Sequence, residues 1–584
     1  MKLFNKSILV ALLILGVVTS CKDYLEVQPV SSFGPDYVFS NITNATKSVM
    51  GAYASLGGDN GYGIRITMYY PYDNDEMMGQ GATPYPDNER RDIAHYSVQP
   101  SNTQLASPFN QMYAGIEKAN ICIYYIPKMD LYENGSDSEK KELRRLHGEA
   151  LTLRAQYYYE LIRNWGDVPA QFLPSSFETE LFKEKEDRDV IYDQLLADLE
   201  EASVLVPWRS DLNTSERITQ GAVRGLRARI ALARGGYSLR RDNTMQRGSD
   251  YLKYYQIARD ECKTIIDKGD HKLNPSFQSV FQDAITAHRQ EPNGEVMWEI
   301  AMTGGSSATG DSKLGYYNGP VVASKGNGAL TILPTFFYSY DVNDTRRDVT
   351  CAPYNVNADK TIAARTLATM VDGKFRRDWI KNPEPAIGAD AQYFGLNWPV
   401  IRYSDVLLMF AEAENEINHS PTADAITAFE TVRQRAFGAN AIGTTPSDYA
   451  GFFTALTKER SWEFAGEGIR KYDLLRWNML AQRIAETKVN LAAMAASQPP
   501  YDNLPTTMYF KTASPTLIWQ NSLYAPAPVT APAGSTAVVW VGNTITSTIL
   551  TYYAVAFTPN KSELLPIHTS VIDSNPSLSQ DYGY

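Results

Sequence analysis

The sequence predicts a mainly α chain, a tetratricopeptide-like scaffold of stacked helical pairs carrying long loop and short-strand insertions. Three observations point there. Apolar residues recur at spacings of three and four through many separate stretches, the mark of one buried helical face. Small residues stand where successive helices would touch, as in helix-pair repeats. Three segments break the pattern, at 57–103, 274–400 and 480–565, and are rich in Gly, Pro, Asn, Thr or Tyr. No fixed period survives, because the helix starts are unevenly spaced, so the repeats are degenerate.

In chain order, Ile42–Leu56 is the first helix. Phe109, Met112, Ile116, Ala119 and Ile123 share the face of a second, which Pro127 ends. Ser136 or Ser138 caps a third, with Glu139 or Lys141 in its first turn. Its stripe runs Leu143, Leu146, Ala150, Leu153, Tyr157, Leu161, and Gly166 with Pro169 stops it. Ile191, Leu195, Leu199 and Ala202 mark a fourth, stopped at Pro207. Thr219–Leu232 is an Ala-rich fifth, and Tyr255, Ala258, Cys262 and Ile265 a sixth, ended by Gly269. Helices resume at Tyr403–Ile417, Ala423–Ala436 and Leu456–Met479. Residues 500–560 read as strands and turns.

Composition narrows the function. The chain has 584 residues, 55 basic and 66 acidic, for a net charge of −11. A general nucleic-acid binder needs the opposite balance. Tyr outnumbers Phe, 37 to 21, with 9 Trp besides, and amphipathic rings in excess suit wet surfaces. The one apolar run near membrane length is Ile8–Val18, preceded by Lys2 and Lys6. A spanning helix needs about 20 residues, so this run reads as a secretory signal at 1–20. Val18-Thr19-Ser20-Cys21 resembles a bacterial lipobox, although Val18 and Ser20 replace the usual Leu and Gly or Ala. Cleavage would leave Cys21 to carry a diacylglycerol, with 21–40 as a tether. Lys22-Asp23 resembles the surface-export signal of Bacteroidetes lipoproteins. Cys122, Cys262 and Cys351 are too few for a disulfide framework and read as buried free thiols.

Four segments carry the most specific signal. They are Gly148-Glu-Ala-Leu-Thr-Leu-Arg-Ala-Gln-Tyr-Tyr-Tyr-Glu-Leu-Ile-Arg-Asn-Trp-Gly-Asp-Val-Pro169, Ile401-Arg-Tyr-Ser-Asp-Val-Leu-Leu-Met-Phe-Ala-Glu-Ala-Glu-Asn-Glu-Ile417, Glu459-Arg-Ser-Trp-Glu-Phe-Ala-Gly-Glu-Gly-Ile-Arg-Lys-Tyr-Asp-Leu-Leu-Arg-Trp477, and Leu565-Pro-Ile567 followed by Asn575-Pro576 and Gln580-Asp-Tyr-Gly-Tyr584. In this order they resemble the SusD/RagB family of Bacteroidetes outer-membrane lipoproteins, across the whole mature chain. His568 and Asp581 depart from that family's usual Pro and Asn. The resemblance implies four degenerate helical pairs, divided into an N-terminal region at 41–273 and a C-terminal region at 274–584. It implies a binding protein, not an enzyme, exposed on the cell outer membrane as a lid over a SusC-like TonB-dependent transporter. The expected ligand is a glycan; an oligopeptide receptor of the same architecture is the alternative. A surface glycosidase or a purely structural transporter accessory are further readings.

Two chemistries compete for the acidic residues. Glu459, Glu463 and Glu467 fall on one helical face, with Arg470, Asp473 and Arg476 following. They form either a carboxylate site or an ion-pair network between helices, and the interleaved arginines favour the network. Glu412 and Glu416 share a face, but a glycosidase needs two carboxyls across a sugar, and nothing in the sequence positions such a pair. Gly305-Ser-Ser-Ala-Thr-Gly310 has phosphate-loop spacing but Asp311 in place of Lys. Asp341–Asp348 lacks the Gly and terminal Glu of a calcium loop and reads as structural. No cofactor or metal is implied.

Sugars need flat apolar faces and planar polar groups. Tyr70, Tyr72 and Asp73 offer both in the first insertion, as do Tyr85 and Arg90, and Tyr316 and Tyr317 lie in the second. The resemblance implies a ligand site drawn from these same loops, so these seven residues are the candidate contacts. Trp298 alternates like a buried strand residue. Trp519 and Trp540 belong to the late β-rich insertion, as a second site or a transporter contact.

Overall fold

The computed structural model describes residues 34–79, 86–305, 307–513, 516–542, 545 and 548–584. The signal segment, Cys21 and Tyr85 lie outside them.

Helix α1 (Ile42–Ala54) is capped by Asn41, whose side chain accepts from the Asn44 N–H. Helix α2 spans Ala106–Tyr125, and α3 spans Asp137–Trp165. Ser136 and Glu139 form a reciprocal capping box at the start of α3, which resolves the choice the sequence left between Ser136 and Ser138. Then follow α4 (Arg188–Leu205), α5 (Gln220–Arg234), α6 (Tyr251–Lys268), α7 (Tyr403–Asn418) and α8 (Ala423–Phe437). Each helix from α1 to α8 packs on its successor, and α7 also packs on α9 (Tyr449–Phe464). This is the stacked helical array the apolar stripes predict. Close approach is built in at Gly115 on α2: a Cβ there would stand 2.5 Å from Tyr157 Cε1. The Tyr157 ring, fully buried, passes that point to donate its hydroxyl to the Ala52 carbonyl on α1. One ring thus fastens three helices.

The sequence predicts one helix over Leu456–Met479, and the structure has two. Gly466 and Gly468, at φ of 81° and 68°, break the path between α9 and α10 (Arg470–Arg476). Within 480–565, the segment read as an insertion, Leu480–Ala495 forms helix α11, burying Ile484, Leu491 and Met494.

Residues 274–400 leave and return at one place. Strand β2 (Val296–Ile300) pairs antiparallel with β6 (Trp398–Arg402), so the chain between them closes at its base. Both strands are buried, and Trp298 is among the fully buried residues. Strand β1 (Met77–Met78), from the first insertion, pairs with β3 (Thr331–Ile332), which joins β5 (Val371–Asp372) and β4 (Cys351–Ala352) in one sheet. Two insertions far apart in sequence are therefore one structural unit. The late region forms a sheet ordered β8 (Thr516–Trp519), β7 (Thr507–Ala513), β9 (Thr536–Val539). Trp540 follows it, fully buried, with Nε1 donating to the Tyr338 hydroxyl at 2.7 Å.

The C-terminal motif docks on the end of α3. Leu565 N–H donates to the Asn164 carbonyl at 2.7 Å, Trp165 Nε1 donates to the Pro566 carbonyl at 3.1 Å, and Arg188 reaches the Tyr582 hydroxyl. Cys122, Cys262 and Cys351 are free and buried, and burial pushes the Cys122 thiol up to about 11.

Candidate functional site

The acidic residues that invite a catalytic reading are held in ion pairs. Glu459 accepts from Arg346 at 2.6 Å and Arg433 at 3.0 Å. Glu463 accepts from Arg435 at 2.6 Å, Arg402 at 2.9 Å and Arg346 at 3.1 Å. Glu467, in the turn after α9, accepts from Arg402 and Lys374, each at 2.7 Å. All three are buried. Burial alone would raise the Glu463 carboxyl; Arg435, Arg402 and Arg346 outweigh it and hold the group well below the usual carboxylate range. Glu412 accepts from Arg476 Nη2 at 2.8 Å, and Glu416 from Arg247 at 3.2 Å. Asp344, in the acidic loop, braces Arg346 at 2.7 Å. Through Arg346, Lys374 and Arg402 the three α9-side carboxylates join the helices to the central insertion, while Glu412 ties α7 to Arg476.

Three candidate contact residues are interior, which corrects the expectation for them. Tyr70 is 1% exposed; its hydroxyl donates to the Gln104 carbonyl at 2.8 Å and its ring meets Trp165 edge-on. Tyr72 is equally buried, with its hydroxyl 3.3 Å from the Gly466 carbonyl. Asp73 has φ 51° and bonds His95 Nδ1 at 2.7 Å, the Ala554 N–H at 2.7 Å and the Gly79 N–H at 2.8 Å. Rings with no open face cannot stack on a sugar. This segment is a knot that locks the first insertion to the C-terminal region.

Arg90, Tyr316 and Tyr317 are half-buried and nearer the surface. Tyr316 and Tyr317 pack edge-on, 5.2 Å between centroids, on a short helical turn. The π-helical turn Arg65–Tyr69 brings Tyr69 beside them. Burial raises the Tyr69 hydroxyl pKa, as does the nearby Tyr317, while Arg90, Arg65 and Lys313 oppose the rise. Next to them Lys313 reaches Asp59 at 3.3 Å, and the Tyr393 hydroxyl donates to the same carboxylate oxygen at 3.0 Å. Arg65 donates to Gln104 at 2.9 Å. Asp59 Oδ1 and Arg90 Nε are buried and have no hydrogen-bond partner among the described residues. Half-buried rings and planar polar groups from both insertions therefore converge here. Asp59, Arg65, Lys313 and Tyr393 carry no sequence signal of their own; only the folded path brings them together.

A cavity of about 730 Å³ lies elsewhere in the central insertion and also takes in the late sheet. Tyr354, Trp379 and Trp519 line it, and the Arg376 guanidinium sits 4.5 Å from the Trp379 ring and 5.1 Å from the Tyr354 ring while bonding Asp378 at 3.0 Å. Trp519 therefore borders open space, whereas Trp540 is part of the packing beneath. Among the described residues no cluster of His, Cys, Asp and Glu could hold a metal ion, and no helix is long and apolar enough to cross a membrane.

Comparison with known proteins matches two family models, one described as the SusD family over residues 372–584 and one described as starch-binding, associating with outer membrane, over 23–232. The SusD-like protein P25 of Formosa agariphila is 24% identical over 541 residues, spanning 85% of this chain and 95% of its own. The SusD-like protein P2 of the same organism is 25% identical, spanning 75% and 82%. Among solved structures, a SusD homolog from Bacteroides thetaiotaomicron superposes with a TM-score of 0.74 at 20% identity, covering 94% of this chain and 98% of that one. A laminarin-binding SusD-like protein gives a TM-score of 0.64 at 19% identity, covering 93% and 99%. Surface glycan-binding protein A from B. thetaiotaomicron, solved with laminarihexaose, gives 0.62 at 19%, covering 92% and 99%. With the four sequence motifs, the helical array and both family models in agreement, the chain belongs to the SusD/RagB family.

Proposed function

We propose that this protein is a glycan-binding lipoprotein of the outer membrane, displayed at the cell surface through a lipid on Cys21, and that it delivers oligosaccharides to a SusC-like TonB-dependent transporter. The observation that carries the binding reading is the convergence of Tyr317, Tyr316, Tyr393, Arg90, Asp59 and Lys313 on one surface built from both insertions. Rings supply the apolar faces a pyranose stacks on; the guanidinium, ammonium and carboxylate groups match its hydroxyls. Asp59 Oδ1 and Arg90 Nε, without a hydrogen-bond partner among the described residues, are polar groups that a modest side-chain shift would offer to a sugar hydroxyl. The names of the family model and of the laminarin-binding structures agree with such a role. Binding without cleavage is favoured because the conspicuous carboxylates are already neutralised by arginines in the interior. Tyr85, in the same insertion as Arg90, completes the proposed contact set.

Electrophoresis through native gels containing single polysaccharides tests this. Retardation in at least one gel, reduced by Tyr317→Ala, is the expected result. New reducing ends released from a retained polysaccharide would overturn binding alone, and binding of peptides with no glycan retained would move the protein to the oligopeptide class.

A further inference from the structure

Almost every deeply buried guanidinium in this protein is paired with a carboxylate. Arg154 holds Asp198, Arg188 holds Asp167, Arg346 holds Glu459, Arg460 holds Asp405 and Arg470 holds Asp75. Arg234, Arg347, Arg376, Arg402 and Arg476 follow the same rule. Arg377 does not. It is 3% exposed, yet among the described residues it has no ion-pair partner. Its Nη2 donates to the Ala389 carbonyl, its Nε and Nη1 have no acceptor, and the Phe394 ring lies 4.9 Å from its guanidinium. The Asp390 carboxylate attracts it from beyond ion-pair distance, but that group is exposed and already bonded to Lys325, and a carbonyl and a ring face do not neutralise a buried cation. Burial lowers its pKa, and Asp390 and Tyr316 oppose that fall without cancelling it.

The position of this exception gives it meaning. Arg377 lines the 730 Å³ cavity with Trp379, Tyr354 and Trp519. Of the other charges there, Arg376 pairs with Asp378, Lys381 with Glu384 and Asp348 with Arg347, and Lys360 adds a further cation to the lining. The volume lies within the range of small-ligand sites. The lining thus offers stacking faces, a pre-oriented Arg376–Asp378 pair for hydroxyls, and one surplus guanidinium.

We propose that this cavity is a second saccharide site, selective for an anionic sugar whose carboxylate or sulfate supplies the direct ion-pair partner that Arg377 lacks among the described residues. A guanidinium presents a planar fork of donors that suits either oxyanion. The proposal rests on the glycan-binding reading and adds to it a substrate class and a separate place. It also gives Trp519, and with it the late sheet, a role.

Isothermal titration of the full chain with a galacturonate tetrasaccharide, a chondroitin sulfate tetrasaccharide and neutral laminarihexaose tests it. At least one anionic probe is expected to bind, with affinity falling as salt rises. Arg377→Met is expected to weaken that binding at least tenfold without lowering the melting temperature, because it removes a buried charge that has no ion-pair partner among the described residues. Trp519→Ala, on a half-exposed strand, should weaken it too, while Tyr317→Ala should not. The preference between the two anionic probes distinguishes a uronate from a sulfate ester. If laminarihexaose binds and neither anionic probe does, this inference fails and the glycan reading stands. If no glycan of any kind binds here or in the native gels, both fail. Anionic binding unchanged in Arg377→Met would also overturn it.

Discussion

Arg402 Nη1 lies 2.9 Å from Glu463 Oε1, joining the strand that closes the central insertion to helix α9. Both side chains are buried, and the same arginine reaches Glu295 at 2.8 Å and Glu467 at 2.7 Å. The strongest motif residues of the sequence meet here, far from any open surface. The family signature thus encodes how the insertion is fastened to the helical stack.

Removing one charge from this cluster should be costly. Glu463→Gln leaves Arg402, Arg435 and Arg346 short of a counter-charge, and a loss of about 3–5 kcal/mol is expected, read by urea denaturation at pH 7. The pH dependence has a definite sign. The folded carboxyl titrates below its ordinary value near 4.5, so its contribution is full above that pH and is lost as pH falls through the folded value. The gap between wild type and Glu463→Gln should therefore narrow in acid. An equal gap at pH 3 and pH 7 would be inconsistent with the carboxylate as the source.

Glu299 predicts the opposite slope. It is buried in β2 and accepts from the Ser215 hydroxyl at 2.7 Å, and burial raises its pKa to about 7. A raised acid favours the fold while it is protonated. Its contribution is full below about 4.5 and is lost as pH rises through 7, at most about 3 kcal/mol for a shift of this size. Burial also raises Asp372 to about 7, adding a slope of the same sign. Melting temperatures between pH 5 and 8 should fall in wild type and fall less in Glu299→Gln, whose amide keeps an acceptor for Ser215.

Tyr70 and Tyr317 separate structure from recognition. Tyr70→Ala empties a fully enclosed ring site beside Trp165 and should cost about 3–5 kcal/mol. Where it still folds, glycan affinity should be little changed. Tyr317→Ala, on a half-buried ring, should leave the melting temperature within about 2 °C, since changes away from the core cost within about 0.5 kcal/mol. Its affinity for a retained glycan should fall about tenfold. The reverse pattern would return the site to the first insertion's interior.

The helical array is legible in the sequence because packing imposes a period on it. The stripe through Leu143, Leu146, Ala150, Leu153 and Tyr157 is buried residue by residue, and Gly269 stops α6 at φ 73° as its position suggests. The period cannot show where the path breaks, and so Gly466 and Gly468 pass unnoticed inside an apparent single helix. The site is less legible for a related reason. Tyr70-Pro71-Tyr72-Asp73 and Tyr316-Tyr317-Asn318 each pair two tyrosines with a planar polar side chain, yet the first two rings are interior and the second two partly open. Burial of an aperiodic loop depends on distant partners such as Ala554 and Gly466, which no local pattern announces.

Gly115→Ala tests the tightest helix contact. The added methyl would meet the Tyr157 ring within 2.5 Å at Cε1, and that ring cannot swing aside without giving up its bond to the Ala52 carbonyl. Overpacking of this kind typically costs 1–3 kcal/mol, and a loss of at least about 2 kcal/mol is expected here because three helices share the ring. Tyr157→Leu alone should also destabilise, by leaving a void and removing one of the two donors, with the Ser55 N–H, that the Ala52 carbonyl accepts from. Combined with Gly115→Ala it should cost less than the sum of the two, since the shorter side chain vacates the space the methyl needs. A coupling of about 1 kcal/mol or more in the double-mutant cycle would place the strain at this contact. Strict additivity would show that the helices shift apart instead, with the ring and the methyl never meeting.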